Sequence, residues 1–170
     1  MLTDQQAQFE QLVLPHLDAA YNLARWLAGN DHDAEDIVQD ACVRAFRFGG
    51  GFRGGNSRAW LLTIVRNTAC SWLRKNRPQA AVPLGEDELA EIEDSGGSAT
   101  AFDKADAGVV RAALEALPLE FREALVLREL EGLSYKEIAE VADVPVGTVM
   151  SRLARARREL QNFLKRKGDV

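Results

Sequence analysis

The chain is poor in the residues that catalytic and metal chemistry draw on. It has two cysteines and two histidines in 170 residues. No C-x-x-C pair exists, so a zinc site built from His32, Cys42 and Cys70 lacks the usual ligand spacing. His16 and His32 lie far from any nucleophile arrangement, and there is neither a P-loop nor a G-x-G-x-x-G after a strand. An enzyme is therefore not expected, nor a cofactor, a small-molecule substrate or a bound metal. No apolar run approaches the ~18 residues of a membrane span, so direct membrane insertion is not expected. The Thr3-Asp4-Gln5-Gln6 stretch is polar and acidic, unlike a signal peptide. Cys42 and Cys70 sit within apolar helical patterns and read as reduced core residues of a cytoplasmic protein. No segment alternates as a half-buried strand does.

What is present is helix, and charge unevenly spread. The net charge of −5 argues against non-specific nucleic-acid binding by the whole molecule. Residues 1–75 hold eight basic and eight acidic side chains, and residues 107–170 hold eleven and ten. Residues 76–106 hold two basic and eight acidic. This middle stretch therefore supplies more than the whole net charge, and the flanks are near neutral with local basic patches. Rich in Pro, Gly, Ser and acid, it reads as a flexible linker with at most a short helix at Glu86–Ile92. The chain divides into residues 1–76, a linker over 77–105, and residues 106–170. The fold class expected is all-α, two small helical domains on a tether.

The most informative residues run from Leu133 to Leu160. Ser134 and Glu137 form an S-x-x-E capping box that starts a helix at Tyr135. Ile138, Ala139 and Ala142 are its apolar side. Asp143-Val144-Pro145 ends it, because Pro145 has no amide hydrogen and biases Val144 away from helical angles. A second helix follows from Val146 to about Phe163. Val149, Leu153, Ala156 and Leu160 face its core side, while Ser151, Arg155 and Arg158 point away, flanked by Thr148 and Arg152. From Gly147 to Lys167 seven basic residues stand against Glu159 alone. A solvated amphipathic helix would show the same charge run, but the turn and capping box fit a helix-turn-helix DNA reader.

In the N-terminal half, Thr3 and Gln6 suggest another capping box, and Pro15 a break in the first helical pattern. Gly29-Asn30 closes that segment. A helix is expected from Asp31 or His32 to about Phe48, with Ile37, Val38, Ala41, Ala45 and Phe46 inward, then a glycine-rich loop and a helix from Ser57 to about Arg74.

Taken together, the chain resembles a bacterial RNA polymerase sigma factor of the extracytoplasmic-function (ECF) group. The likeness covers roughly Phe9 to Leu160. It rests on Asp33-Ala34-Glu35-Asp36-Ile37-Val38-Gln39-Asp40, on Phe52-Arg53-Gly54 with Trp60-Leu61 and Arg66-Asn67, and on Gly147-Thr148-Val149 with Ser151-Arg152-Leu153 and Arg155-Ala156-Arg157. Three such motifs in order are far more specific than one. The resemblance makes residues 1–76 a sigma region 2 domain and residues 106–170 a region 4 domain. It implies core RNA polymerase and promoter DNA, duplex and single-stranded, as partners, and an anti-sigma protein as a further one.

Asp33, Asp36 and Asp40 share one helix face, with Gln39 beside them. On composition alone this is a solvated acidic face. In the family this helix docks on the polymerase clamp, where carboxylates can meet arginines. Phe52, Arg53, Arg58, Trp60, Arg66, Asn67, Arg74 and Lys75 mix aromatics with positive charge, the chemistry of single-strand binding. The resemblance assigns them to melting at the −10 element. Trp60 and Trp72 fit base stacking or simple core packing equally. The loop, with Gly49-Gly50-Gly51 and Gly54-Gly55-Asn56, is richer in glycine than family loops tend to be. Thr148, Ser151, Arg152 and Arg155 are placed for the major groove of the −35 element, with Arg157, Arg158 and Lys165 for phosphates. Met150 departs from the polar residue usual there, and fits a thymine methyl or packing on the first helix. In the family the linker threads a basic channel later taken by RNA, a role its carboxylates would suit. Two other readings compete. A helix-turn-helix repressor would not need the aromatic and basic segment. A sigma-mimicking adaptor that sequesters an anti-sigma protein would be expected to lose Asn67, Arg152 and Arg155, which this chain keeps.

Overall fold

A computed structural model describes residues 2–52, 54–77 and 107–168. These residues form helices and turns, with no strand among them. In chain order the helices are α1 (Leu2–Leu12), a 3₁₀ turn (Leu14–His16), α2 (Leu17–Ala28), α3 (Asp31–Phe48) and α4 (Ser57–Asn76), then α5 (Ala107–Ala116), α6 (Leu119–Leu125), α7 (Tyr135–Ala142) and α8 (Val146–Gly168). The stretch expected as a linker, Arg77 apart, lies outside the described residues, as does Arg53.

Each boundary has a local cause. Helix α1 begins at Leu2, so Thr3 is inside its first turn rather than capping it. The chain then breaks at Pro15, as its missing amide hydrogen requires. Gly29 takes φ +90, a left-handed turn that closes α2 through its amide hydrogen bond to Arg25. Asn30 caps α3 by accepting from the Asp33 amide, and Asn56 caps α4 by accepting from the Ala59 amide. The Ser134–Glu137 capping box of α7 forms in both directions. Ser134→Ala is expected to lower stability by about 1 kcal/mol, read as a fall in the urea midpoint. An unchanged midpoint would mean that α7 is held by packing alone.

Helices α2, α3 and α4 bury Leu23, Leu27, Ile37, Leu61, Leu62 and Val65 among themselves. Small residues at Ala20, Ala24, Ala34, Ala41 and Ala45 let the backbones approach. Phe46, expected inside, is 36% exposed and rests edge-on against Phe9. An alanine-rich interface is too close-set to admit a ring at that position. The C-terminal half buries Phe121, Leu125, Leu127, Leu133, Ile138, Leu153 and Leu160. After α6 the chain widens into a π turn over Val126–Leu130, which ends with Glu131 bonding back to Val126 and Gly132 at φ +68. Cys42 and Cys70 are free and half-buried, and burial pushes both thiols above the ordinary cysteine value.

The two halves also meet. Helix α4 packs on α7, and α2 packs on α6. One apolar cluster runs through both.

Candidate nucleic-acid and polymerase interface

Three surfaces carry the residues singled out in the sequence. The first is the acidic face of α3. Asp36, Gln39 and Asp40 are exposed and lie on adjacent turns. Asp36 faces His32 at 3.8 Å, and Asp40 faces Arg44 at 3.4 Å, with both carboxylates half-exposed. Asp33 differs from them. It accepts from the Asn30 amide group and pairs with Arg77, and these contacts hold its carboxyl below the usual range. Its side chain is largely covered, so it braces the N-terminus of α3 against the end of α4. Ligand atoms of His32, Asp33 and Asp36 come within 4.8 Å of one another. With Asp33 engaged, one helix end supplies too few oxygens to hold a hard cation.

The second surface is the outer stripe of α4. Trp60, Asn67, Ser71 and Arg74 recur at helical spacing along one side. Asn67, Ser71, Arg74 and Lys75 are exposed and Trp60 is half-buried. Phe52, from the glycine-rich loop, stands edge-on to Trp60 with ring centroids 5.5 Å apart and extends the stripe. Both rings also touch the core, so Trp60 serves packing and still offers part of its face. Trp72 is half-buried too, with the Arg77 guanidinium 5.6 Å above its ring. Gly54 and Gly55 hold φ +90 and +92 with nothing within 4 Å of where a Cβ would stand. The loop is open on that side and shaped by backbone alone.

Arg66 leaves this stripe and turns toward the C-terminal half. Arg66 Nε donates to Glu123 Oε1 at 2.9 Å, and Glu123 is 2% exposed. Burial pushes the Glu123 carboxyl above the ordinary range, and the charges of Arg66 and Arg152 offset this only in part. Arg58 lies among Glu131, Glu137 and His16, whose ionisation its charge biases. The Asn56 side-chain amide donates to Glu137, the capping-box residue of α7. Arg122 Nη1 donates to the Trp26 carbonyl at 2.9 Å, while its other nitrogens hold the carbonyls of Leu114, Glu115 and Leu117.

The third surface is α8. Val149, Leu153, Ala156 and Leu160 are buried as expected. Thr148, Ser151 and Arg152 are partly covered near its start, and Met150 is 45% exposed. Arg158 and Lys165 are exposed. Arg155 departs from the outward direction expected of it. Its long stem folds back and sets the guanidinium 5.4 Å above the buried Phe121 ring. Arg157 pairs with Glu129 at 3.1 Å, which ties α8 to the π turn.

Sequence reasoning missed Glu123, Arg122 and Arg77. For Glu123 there was a signal. Phe121, Ala124, Leu125, Val126 and Leu127 surround the helix with apolar groups and leave no solvent face for an acid. The acceptors of Arg122 and Arg77 are backbone carbonyls and a distant carboxylate, which no spacing reveals.

Among the described residues no helix is long and apolar enough to cross a membrane. The Sigma-70 region 2 family matches residues 12–79, and the Sigma-70, region 4 family matches residues 107–160. The chain is 38% identical over 157 residues to the ECF RNA polymerase sigma factor SigE of Mycolicibacterium smegmatis, covering 92% of this chain and 61% of that protein. It is 35% identical over 168 residues to the RNA polymerase sigma-H factor of Pseudomonas aeruginosa, covering 92% and 86%. Among solved structures, the sigma factor RpoE of Bartonella quintana, in complex with the anti-sigma factor NepR, superposes with a TM-score of 0.72 at 33% identity, covering 92% of this chain and 96% of that one. CnrH in complex with the cytosolic domain of CnrY gives a TM-score of 0.60 at 27% identity, covering 94% and 89%. The region 2 and region 4 matches and these relatives together show that the chain belongs to the sigma-70 family, in its ECF group of RNA polymerase sigma factors.

Proposed function

We propose that this chain is a cytoplasmic transcription initiation factor, one that binds core RNA polymerase and directs it to promoters with its own −10 and −35 elements. The observation that carries this reading is the coexistence, in one chain, of three separate surfaces with different chemistry. The exposed carboxylates of Asp36 and Asp40, with Gln39, suit charge-assisted hydrogen bonds to a basic helical surface of the polymerase. The Phe52, Trp60, Asn67 and Arg74 stripe suits an unpaired strand, with rings for bases and cations for phosphates. The start of α8 suits a major groove. Residues 1–76 act as the region 2 domain, residues 106–170 as region 4, and residues 77–105 as the acidic linker between them. Bond-making belongs to the polymerase. An anti-sigma protein is a fitting further partner, since the RpoE relative above was captured with the anti-sigma factor NepR.

The test is in vitro transcription with core polymerase over a library of promoters. The expected result is initiation from a subset that shares −10 and −35 sequences. Tight binding of duplex DNA by the chain alone, with no effect on polymerase, would establish the repressor reading instead. Failure to bind any promoter while still capturing an anti-sigma protein would establish the adaptor.

Within α8, Arg152 near the N-terminal end is the base reader, and Lys165 only positions the helix. Arg152→Ala is expected to relax preference at one or two −35 positions, by ~1–3 kcal/mol of discrimination. Lys165→Ala is expected to weaken all promoters alike and to reduce the salt slope by about one. A uniform loss across the library for Arg152→Ala would remove its base-reading role.

A further inference from the structure

At the start of α8 the open side chains are apolar. Between Val146 and Arg157 the exposed ones are Val146, at 42%, and Met150, at 45%. The polar side chains of that stretch are partly covered, and several are engaged within the chain. Ser151 donates to the Gly147 carbonyl at 3.0 Å. Arg152 lines a cleft between α6, α7 and α8 together with Glu123. Arg155 rests on the Phe121 ring, and Arg157 pairs with Glu129. Val146, Met150 and the partly covered Ala154 recur at i, i+4 and i+8, so they form one row. Gly147, beside that row, has nothing within 4 Å of where a Cβ would stand, which leaves room for a close approach.

From this arrangement we infer that the row reads a pyrimidine methyl group: Met150, flanked by Val146 and Ala154, packs on the C5-methyl of a thymine in the −35 element and makes promoter choice depend on that methyl. This rests on the sigma-factor reading above and deepens it. A helix-turn-helix sets the N-terminal residues of its second helix against base edges in the major groove. Among those edges thymine alone offers a methyl group, and the other bases present donors and acceptors. A row with neither donor nor acceptor would strand such polar edges unpaired, and it gains only at the methyl. Met150 suits the contact, because an unbranched thioether adapts to an irregular apolar surface. Arg152 remains the reader of hydrogen-bonding edges, and the row adds a second readout on the same turns. Size and charge both favour DNA over a protein as the occupant. A stable protein interface buries about 800 Å² on each partner, far beyond what this short row offers. The row also borders the outward side of α8, where the exposed Arg158 and Lys165 suit phosphates.

The test uses holoenzyme assembled from the full chain and core polymerase, on promoters recovered from the library. Each thymine of the −35 element, on either strand, is replaced in turn by deoxyuridine, which keeps every hydrogen-bonding group and lacks only the methyl. At one or two positions the parent holoenzyme should bind about fourfold more weakly, the effect of one buried methyl group at ~0.8 kcal/mol. Met150→Gln keeps the length and helix propensity of the side chain but ends it in a polar group. The residue is exposed, so the fold should stay intact. At those positions this variant should bind thymine and deoxyuridine promoters equally. Deoxyuridine without effect at every −35 position would overturn the inference. A Met150→Gln holoenzyme that keeps the fourfold preference would overturn it too, and if its binding also fell alike on every promoter, the row would be a contact with the polymerase. Promoter-specific initiation by the parent holoenzyme is measured alongside. Its absence would remove the sigma-factor reading, and this inference with it. Specific initiation that is indifferent to thymine methyls would remove the methyl readout alone.

Discussion

Replacing Asp36 and Asp40 together by arginine is expected to abolish binding to core RNA polymerase, with a loss of at least about 100-fold. Reversing two charges in a complementary contact removes two attractions and installs two repulsions, and losing even one well-placed charge costs ~2–5 kcal/mol. The fold should not notice. Both carboxylates are half-exposed, and among the described residues their ion pairs are with His32 and Arg44, one turn away on the same helix. Such pairs are worth about 0.2–0.5 kcal/mol. Circular dichroism should therefore be unchanged while a pull-down titration with core polymerase fails. Full affinity in that titration would move the docking site off α3.

Phe121→Ala carries the largest expected effect on stability, a loss of ~3–5 kcal/mol in urea unfolding. The ring is 1% exposed and lies at the centre of the helix-turn-helix core. Whole domains are stable by about 5–15 kcal/mol, so this one truncation removes a large share. It should also release Arg155, whose guanidinium loses the ring it rests on at 5.4 Å. Phe121→Leu keeps most of the volume and should cost less than about half as much. Equal losses for the two would show that the aromatic face, not the filled volume, is what the site needs.

Much of this could be read from the sequence, and the reasons are local. Capping residues and proline act within a few positions, so the α7–α8 turn and the break at Pro15 were visible at once. Helical spacing sorted Val149, Leu153, Ala156 and Leu160 from the rest of α8 correctly, because burial of short apolar side chains follows backbone direction. Arg155 was placed outward by the same rule and folds back, because a long flexible stem need not follow the Cα–Cβ direction. Thr3 failed as a cap because Leu2 is already helical. The meeting of the halves was not legible. It depends on Arg66, Glu123, Asn56 and Glu137, partners 57 and 81 residues apart in the chain. A spacing argument sees one helix at a time, and a buried carboxylate in one domain gives no hint of an arginine in the other.

The protonated, half-buried state of the two native thiols has a practical side. Cysteine reacts with alkylating probes as the thiolate, and both Cys42 and Cys70 have that form suppressed by burial. Dyes or spin labels can therefore be directed to new cysteines at exposed sites, such as Arg47→Cys on α3 and Glu140→Cys on α7, without first stripping the native sulfurs from the interior. The chain then becomes its own ruler. Distances between its halves can be followed during addition of polymerase, promoter or a clamp protein, one molecule at a time.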